Sequence, residues 1–199
     1  MKLKHIEKLC KAAGRILLYD EPLQEQAEEE DGEEPKCRAR QWMGDGYAAY
    51  PLDGVPYLDT DAVYAIFDVD AKKQDKLPVQ HKYELPSGVS FGDQSREDVP
   101  LEPVRFQMSI GDDDLALFRD EGGALLVIKA DYKKPFDNWK ECECFKRMSK
   151  DGNAFVAVMS GCILRGLIGT YKISTELVET LGAVYNAAGV AVEGEQMRI

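Results

Sequence analysis

Cys142 and Cys144 are the pair best suited to hold a soft metal, because alternate side chains of a strand share one face. A structural zinc needs four ligands, normally completed by a second clustered pair. The sequence offers no such pair, so two small core-facing residues and no metal are expected. Asp68-Val69-Asp70 and Asp112-Asp113-Asp114 present the hard oxygens that suit magnesium. The first would sit at a helix C-terminus, where carboxylates are disfavoured. The second falls in a turn, where aspartates serve turn geometry. Both are expected to be structural. His5 and His81 are the two histidines, and no spacing places either beside a nucleophile. Walker A, H-E-x-x-H and G-x-G-x-x-G patterns are all missing. A non-catalytic protein without a cofactor is expected.

Positive charge is the more informative chemistry. Lys4, Lys8, Lys11 and Arg15 recur at i, i+4, i+7 and i+11, opposite an apolar face of Leu3, Ile6, Leu9, Cys10 and Ala13. Such a stripe can follow phosphate oxygens without reading base sequence. Its ordinary alternative is a solvated helix face. Two features favour phosphate. The stripe is basic in an acidic chain, and Glu7 lies only at its margin. A second basic group, spread over Lys129, Lys133, Lys134, Lys140, Lys146, Arg147 and Lys150, is diluted by Asp131, Asp137, Glu141 and Glu143.

The net charge of −11 is unevenly spread. Residues 20–34 hold nine acids and no base, and without them the chain would be close to neutral. Residues 1–19 carry five bases against one acid. The acidic run, bounded by Pro22 and Pro35, reads as an exposed flexible loop over 20–36. At 199 residues with 44% hydrophobic side chains, the chain can build a substantial core. No apolar run reaches the roughly 18 residues of a membrane span, so no membrane partner is expected. The opening residues are charged throughout, which argues against a signal peptide and for a cytoplasmic address. Five irregularly spaced cysteines indicate free thiols in a reducing compartment.

These charges must be positioned by a mixed architecture. Periodicity predicts helices over 2–13, 60–68 (capped by Thr60) and 175–188 (capped by Ser174). Strands are predicted over 15–19, 37–43, 104–110, 115–118, 124–130, 140–148, 154–160 and 163–172, with a return strand after the Gly44-Asp45-Gly46 turn. Residues 70–102 read as irregular, with one edge strand near 79–85, and they form the boundary between two halves. The fold class is α+β: mainly antiparallel sheets with about three helices, in one domain of two related halves (1–100 and 101–199).

Trp42-Met43-Gly44-Asp45-Gly46-Tyr47-Ala48-Ala49-Tyr50 resembles the strand–(T/S)DG–strand segment of DNA sliding clamps. Ala157-Val158-Met159-Ser160-Gly161-Cys162-Ile163-Leu164-Arg165 is a looser second match. Residues 3–9 are similar to the helix preceding such strands, and residues 176–181 to the helix opening another clamp-type repeat. The resemblance covers about a third of the chain. It implies two clamp-like repeats, assembly as a homo-oligomer because one chain is too short to form a ring, and partners in duplex DNA and a polymerase or other protein. Two departures stand out: the second turn lacks the aspartate, and helix 175–188 has no Lys or Arg. The expected function is that of a non-catalytic DNA-associated accessory factor, a processivity-type protein of phage or mobile-element origin. The alternative is a protein–protein interaction module whose acidic 20–34 loop mimics nucleic acid.

Overall fold

A computed structural model describes residues 1–22, 39–82, 88–105 and 108–171, together with positions 180 and 183. Over these residues the chain is an α+β protein: three α-helices beside a large, mostly antiparallel eleven-stranded sheet. In chain order the elements are α1 (Leu3–Ala13), β1 (Ile16–Pro22), β2 (Ala39–Gly44), β3 (Ala48–Pro51), α2 (Thr60–Ile66), α3 (Ala71–Gln74), β4 (Val79–Lys82) and β5 (Val99–Pro103). Then follow β6 (Met108–Ile110), β7 (Asp113–Asp120), β8 (Leu125–Lys129), β9 (Glu143–Met148), β10 (Ala154–Ser160) and β11 (Ile163–Gly169). Short 3-10 turns over Ala130–Lys133 and Trp139–Glu141 join β8 to β9.

The strand order is β4-β1-β2-β3-β11-β10-β9-β5-β7-β6, with β8 on the far edge of β7. Among the described strands only β1 and β4 run parallel, joined by a long connection through β2, β3, α2 and α3. The sheet continues across residue 100: β3 pairs with β11, and β5 joins β9 to β7.

Both faces of the sheet are covered, which explains why its central strands read as continuous apolar runs instead of alternating ones. On one face Ile16, Leu18, Met43, Tyr50, Val156 and Val158 pack with Ile6 and Cys10 of α1 and Val63 and Phe67 of α2. On the other, Leu17, Tyr19, Trp42, Ala157 and Leu167 pack beneath Val89 and Phe91. The Phe91 ring lies 4.9 Å from Trp42 and 5.6 Å from Tyr19.

Arg147 fixes the segment carrying Val89 and Phe91. Its Nε and Nη2 donate to the two Asp98 carboxylate oxygens at 2.8 and 2.6 Å. Nη1 donates to the carbonyls of Ser90 and Gly92, and Nη2 also to that of Asp93, all within 3.1 Å. All five guanidinium N–H groups are thereby satisfied by one strap of chain. Burial pushes the Asp98 carboxyl up. Hydrogen bonds from Arg147 and Ser95, with the guanidinium charge, outweigh it and hold the group below the usual carboxylate range.

Several boundaries differ from the sequence expectation for physical reasons. Asp20, Glu21 and Pro22 extend β1 instead of opening a loop. Asp20 accepts from Gln41 and Tyr57, and Glu21 accepts from the Trp42 indole, so their charge is absorbed within the fold. The rest of the acidic loop, from 23 to 36, lies outside the described residues. So does helix 175–188 apart from positions 180 and 183. Asp59, not Thr60, caps α2, accepting from Ala62 N at 2.8 Å. Asp113 and Asp114 belong to β7 and not to a turn. Strand β5 arises inside the stretch read as irregular. No described helix is long and apolar enough to cross a membrane.

Candidate nucleic-acid interface

Helix α1 forms because its apolar side chains recur on one face and Gly14 ends it in the left-handed conformation, at φ 67°. Ile6 and Cys10 are fully buried, and the Cys10 thiol donates to the Gly44 carbonyl at 3.3 Å. Burial raises the Cys10 thiol far above its ordinary range, so it stays protonated as a packing group. This docking turns the opposite face outward.

The four candidate cations are placed differently. Lys4 and Lys8 are exposed, and among the described residues no carboxylate pairs with either. Lys11 is exposed but engaged: its ammonium meets Glu7 at 2.5 Å and the Phe67 carbonyl at 3.2 Å. Arg15 lies past the helix, and its Nε donates to the Asp45 carbonyl at 2.7 Å. Its guanidinium carbon sits 5.7 Å from the Tyr47 ring centre. Its Nη groups have no hydrogen-bond acceptor among the described residues. The stripe thus has two open lysines, one tethered lysine, and an arginine turned toward the following hairpin.

That hairpin is built around Asp45, which is 3% exposed. Its Oδ1 accepts from Tyr47 N and Ala48 N at 2.8 and 2.9 Å, and its Oδ2 accepts from the Tyr132 hydroxyl at 3.0 Å. A side chain at Gly44 would drive its Cβ to 1.8 Å from the Ala48 carbonyl oxygen, so only glycine fits there. Burial first, then the Asp45 charge and hydrogen bond, push the Tyr132 phenol far above its ordinary range. Tyr132 is held from its other end too, because its carbonyl accepts from Tyr50 Oη at 2.8 Å.

Beyond the hairpin opens a cleft of about 550 Å³, walled by Tyr47, Lys129, Tyr132, Phe155, Thr170 and Tyr171. It forms where the β2–β3 turn, the end of β8, the start of β10 and the end of β11 converge. Gly169 N donates to the Tyr47 carbonyl at 2.6 Å, and Tyr171 N to that of Val127 at 2.6 Å. Tyr47 is 61% exposed, with Tyr57 the highest among the described large apolar side chains. Lys129 lies 5.8 Å from the Tyr171 ring centre and pairs with Asp113 at 2.7 Å. The hydrogen bond that the Lys129 ammonium donates to Asp113 holds it above its usual range, against a smaller effect of desolvation.

The other candidates take part in the fold. Cys142 packs against the core and Cys144 lies within it. Burial raises both thiols, Cys144 to about 12, which disfavours the metal-binding thiolate. No group of three potential metal ligands gathers among the described residues. Asp70 pairs with Lys73 at 3.3 Å. Part of the second basic group is matched: Lys134 to Asp131, Lys146 to Asp120 and Arg147 to Asp98. His5 lies on α1, whereas His81 lies on β4 with Nδ1 3.7 Å from Asp20.

The sequence did not reveal the cleft, because its walls come from widely separated positions without a common period. The one local signal was an aromatic residue, Tyr47, directly after a tight Gly-Asp-Gly turn.

What emerges is an α+β protein with a basic helix and an aromatic cleft on either side of one buried-aspartate hairpin. Compared with known proteins, the chain matches no family model, no curated protein and no solved structure. The sliding-clamp likeness rests on the segments quoted above.

Proposed function

We propose that this chain is a non-catalytic, DNA-associated accessory factor that meets the phosphate backbone through the outer face of α1. The observation that carries this is the exposure of Lys4 and Lys8, one helical turn apart on the outer face of α1, with no carboxylate partner among the described residues. Lys4, Lys8 and Lys11 span about 10 Å at 1.5 Å per residue, a length suited to a short run of phosphates. Arg15 extends the positive charge beyond the helix end. An acidic remainder limits scattered contact with DNA, against which the basic face of α1 stands out. A clamp-like architecture, two related halves and assembly as a homo-oligomer belong to the same proposal.

Charge reversal tests it. The double variant Lys4→Glu/Lys8→Glu should bind a short duplex at least tenfold more weakly at low salt, measured by fluorescence anisotropy. The single change Lys8→Ala should flatten the dependence of log K on log salt by about 0.9. Because both lysines are exposed, melting temperature should stay unchanged. Equal affinity of the double variant and the parent rejects the proposal.

A further inference from the structure

We propose that the cleft beside Tyr47 receives an unpaired nucleobase, so that the preferred ligand is DNA with a single-stranded end or gap instead of uniform duplex. This deepens, and rests on, nucleic-acid binding by α1. Two rings on the cleft wall, Tyr47 and Tyr171, each lie near a cation: Arg15 at 5.7 Å and Lys129 at 5.8 Å. Phe155 adds a third aromatic wall. Aromatic faces combined with cations are how single-stranded nucleic acid is held without sequence preference, since every base has a π-face.

The cleft volume of about 550 Å³ accepts a ring system of that size. Tyr47 has no packing reason to be so exposed: its carbonyl is committed to Gly169 N and its amide to Asp45, while its ring stays largely in solvent. Arg15 connects the two sites. It follows α1 directly in sequence, reaches the cleft rim through Tyr47, and keeps its Nη groups open toward a phosphate. Gly46 makes this approach possible. A Cβ there would fall 2.7 Å from Arg15 Nη2, and the residue has a φ of 94°. A backbone held by Lys4 and Lys8 would thus pass Arg15 and deliver its next unpaired base to the tyrosines.

The test uses the full chain with two DNAs: a blunt duplex, and the same duplex with a short overhang carrying 2-aminopurine. The overhang DNA should bind at least tenfold more tightly and its 2-aminopurine fluorescence should be quenched. Tyr47→Ala and Tyr171→Ala should remove both the preference and the quenching while leaving blunt-duplex affinity intact. Tyr47→Phe and Tyr171→Phe should retain both, because stacking needs the ring and not the hydroxyl. Tyr47 is exposed enough that its variants should fold normally, which circular dichroism checks. Equal affinity for both DNAs without quenching overturns the cleft proposal alone and leaves α1 binding standing. Failure to bind either DNA overturns both.

Discussion

Replacing Arg147 with alanine should lower the unfolding free energy by about 3–5 kcal/mol, the range seen when one partner of a buried ion pair is removed. Asp98 would remain with its side chain only 1% exposed and no counter-charge. The carbonyls of Ser90, Gly92 and Asp93 would also lose their donor. Against a typical stability of about 5–15 kcal/mol, that loss is large. Arg147→Lys should rescue little, since a lysine ammonium cannot reproduce the planar fork that grips both carboxylate oxygens. Urea melts followed by tryptophan fluorescence measure both effects. Trp42 is fully buried under Phe91, so release of the strap should redden emission before global unfolding. A cost below about 1 kcal/mol would show that packing, not the ion pair, holds the strap.

The same pair sets a pH response. Asp98 and Asp120 are both held below the ordinary carboxylate range, the latter chiefly by its hydrogen bond from Lys146. Groups with lowered folded values bind fewer protons in the folded than in the unfolded chain. Their stabilisation is therefore complete above the unfolded value of about 4 and is lost as pH falls through the folded values. Melting temperature should fall on acidification below about pH 4. The fall should be shallower in Arg147→Ala, in which Asp98 no longer has its guanidinium.

Asp45→Ala should cost about 3 kcal/mol or more, because hydrogen bonds to a charged group contribute about 1.5–3 kcal/mol each. The substitution strands Tyr47 N, Ala48 N and the Tyr132 hydroxyl together, two of them at buried residues. Asp45→Asn should recover most of this. Its amide oxygen can accept from both backbone groups, while the Tyr132 hydroxyl rotates to accept from the amide nitrogen. Thermal melts of the parent and the two variants give the comparison. An alanine variant as stable as the asparagine one would mean that water satisfies the hairpin.

How far these features could be read in advance depended on how local their causes are. Helix α1 was legible because its periodicity and Gly14 stop lie within a dozen residues. β10 was legible because burial on both faces makes a continuous apolar run. β5 was hidden by Pro100 and Pro103, which argue against a strand interior. It tolerates them because its two pairings are staggered: residues 99–101 face β9 and residues 101–103 face β7. Asp20 and Glu21 looked like the start of a solvated loop, and their partners (Gln41, Tyr57 and Trp42) become adjacent only once the strands pair. For the candidate interface, residue types and spacing singled out the exposed Lys4 and Lys8. The capture of Lys11 by Glu7 and Phe67, and of Arg15 by the hairpin, depends on tertiary geometry that charge spacing does not encode.

The pairing of β3 with β11 has a consequence for biosynthesis. Ala48 and Ala49 find their partners, Ile168 and Leu167, more than a hundred residues downstream. Until the ribosome has released that stretch, one flank of β3 has bare amide and carbonyl groups at the centre of the future sheet. Closing so long a span is slow, and an unpaired strand flank is a template for association with other chains. Nascent chains stalled before residue 163 should therefore be the species most in need of a chaperone, whereas a few further residues of synthesis would cap the open flank from within.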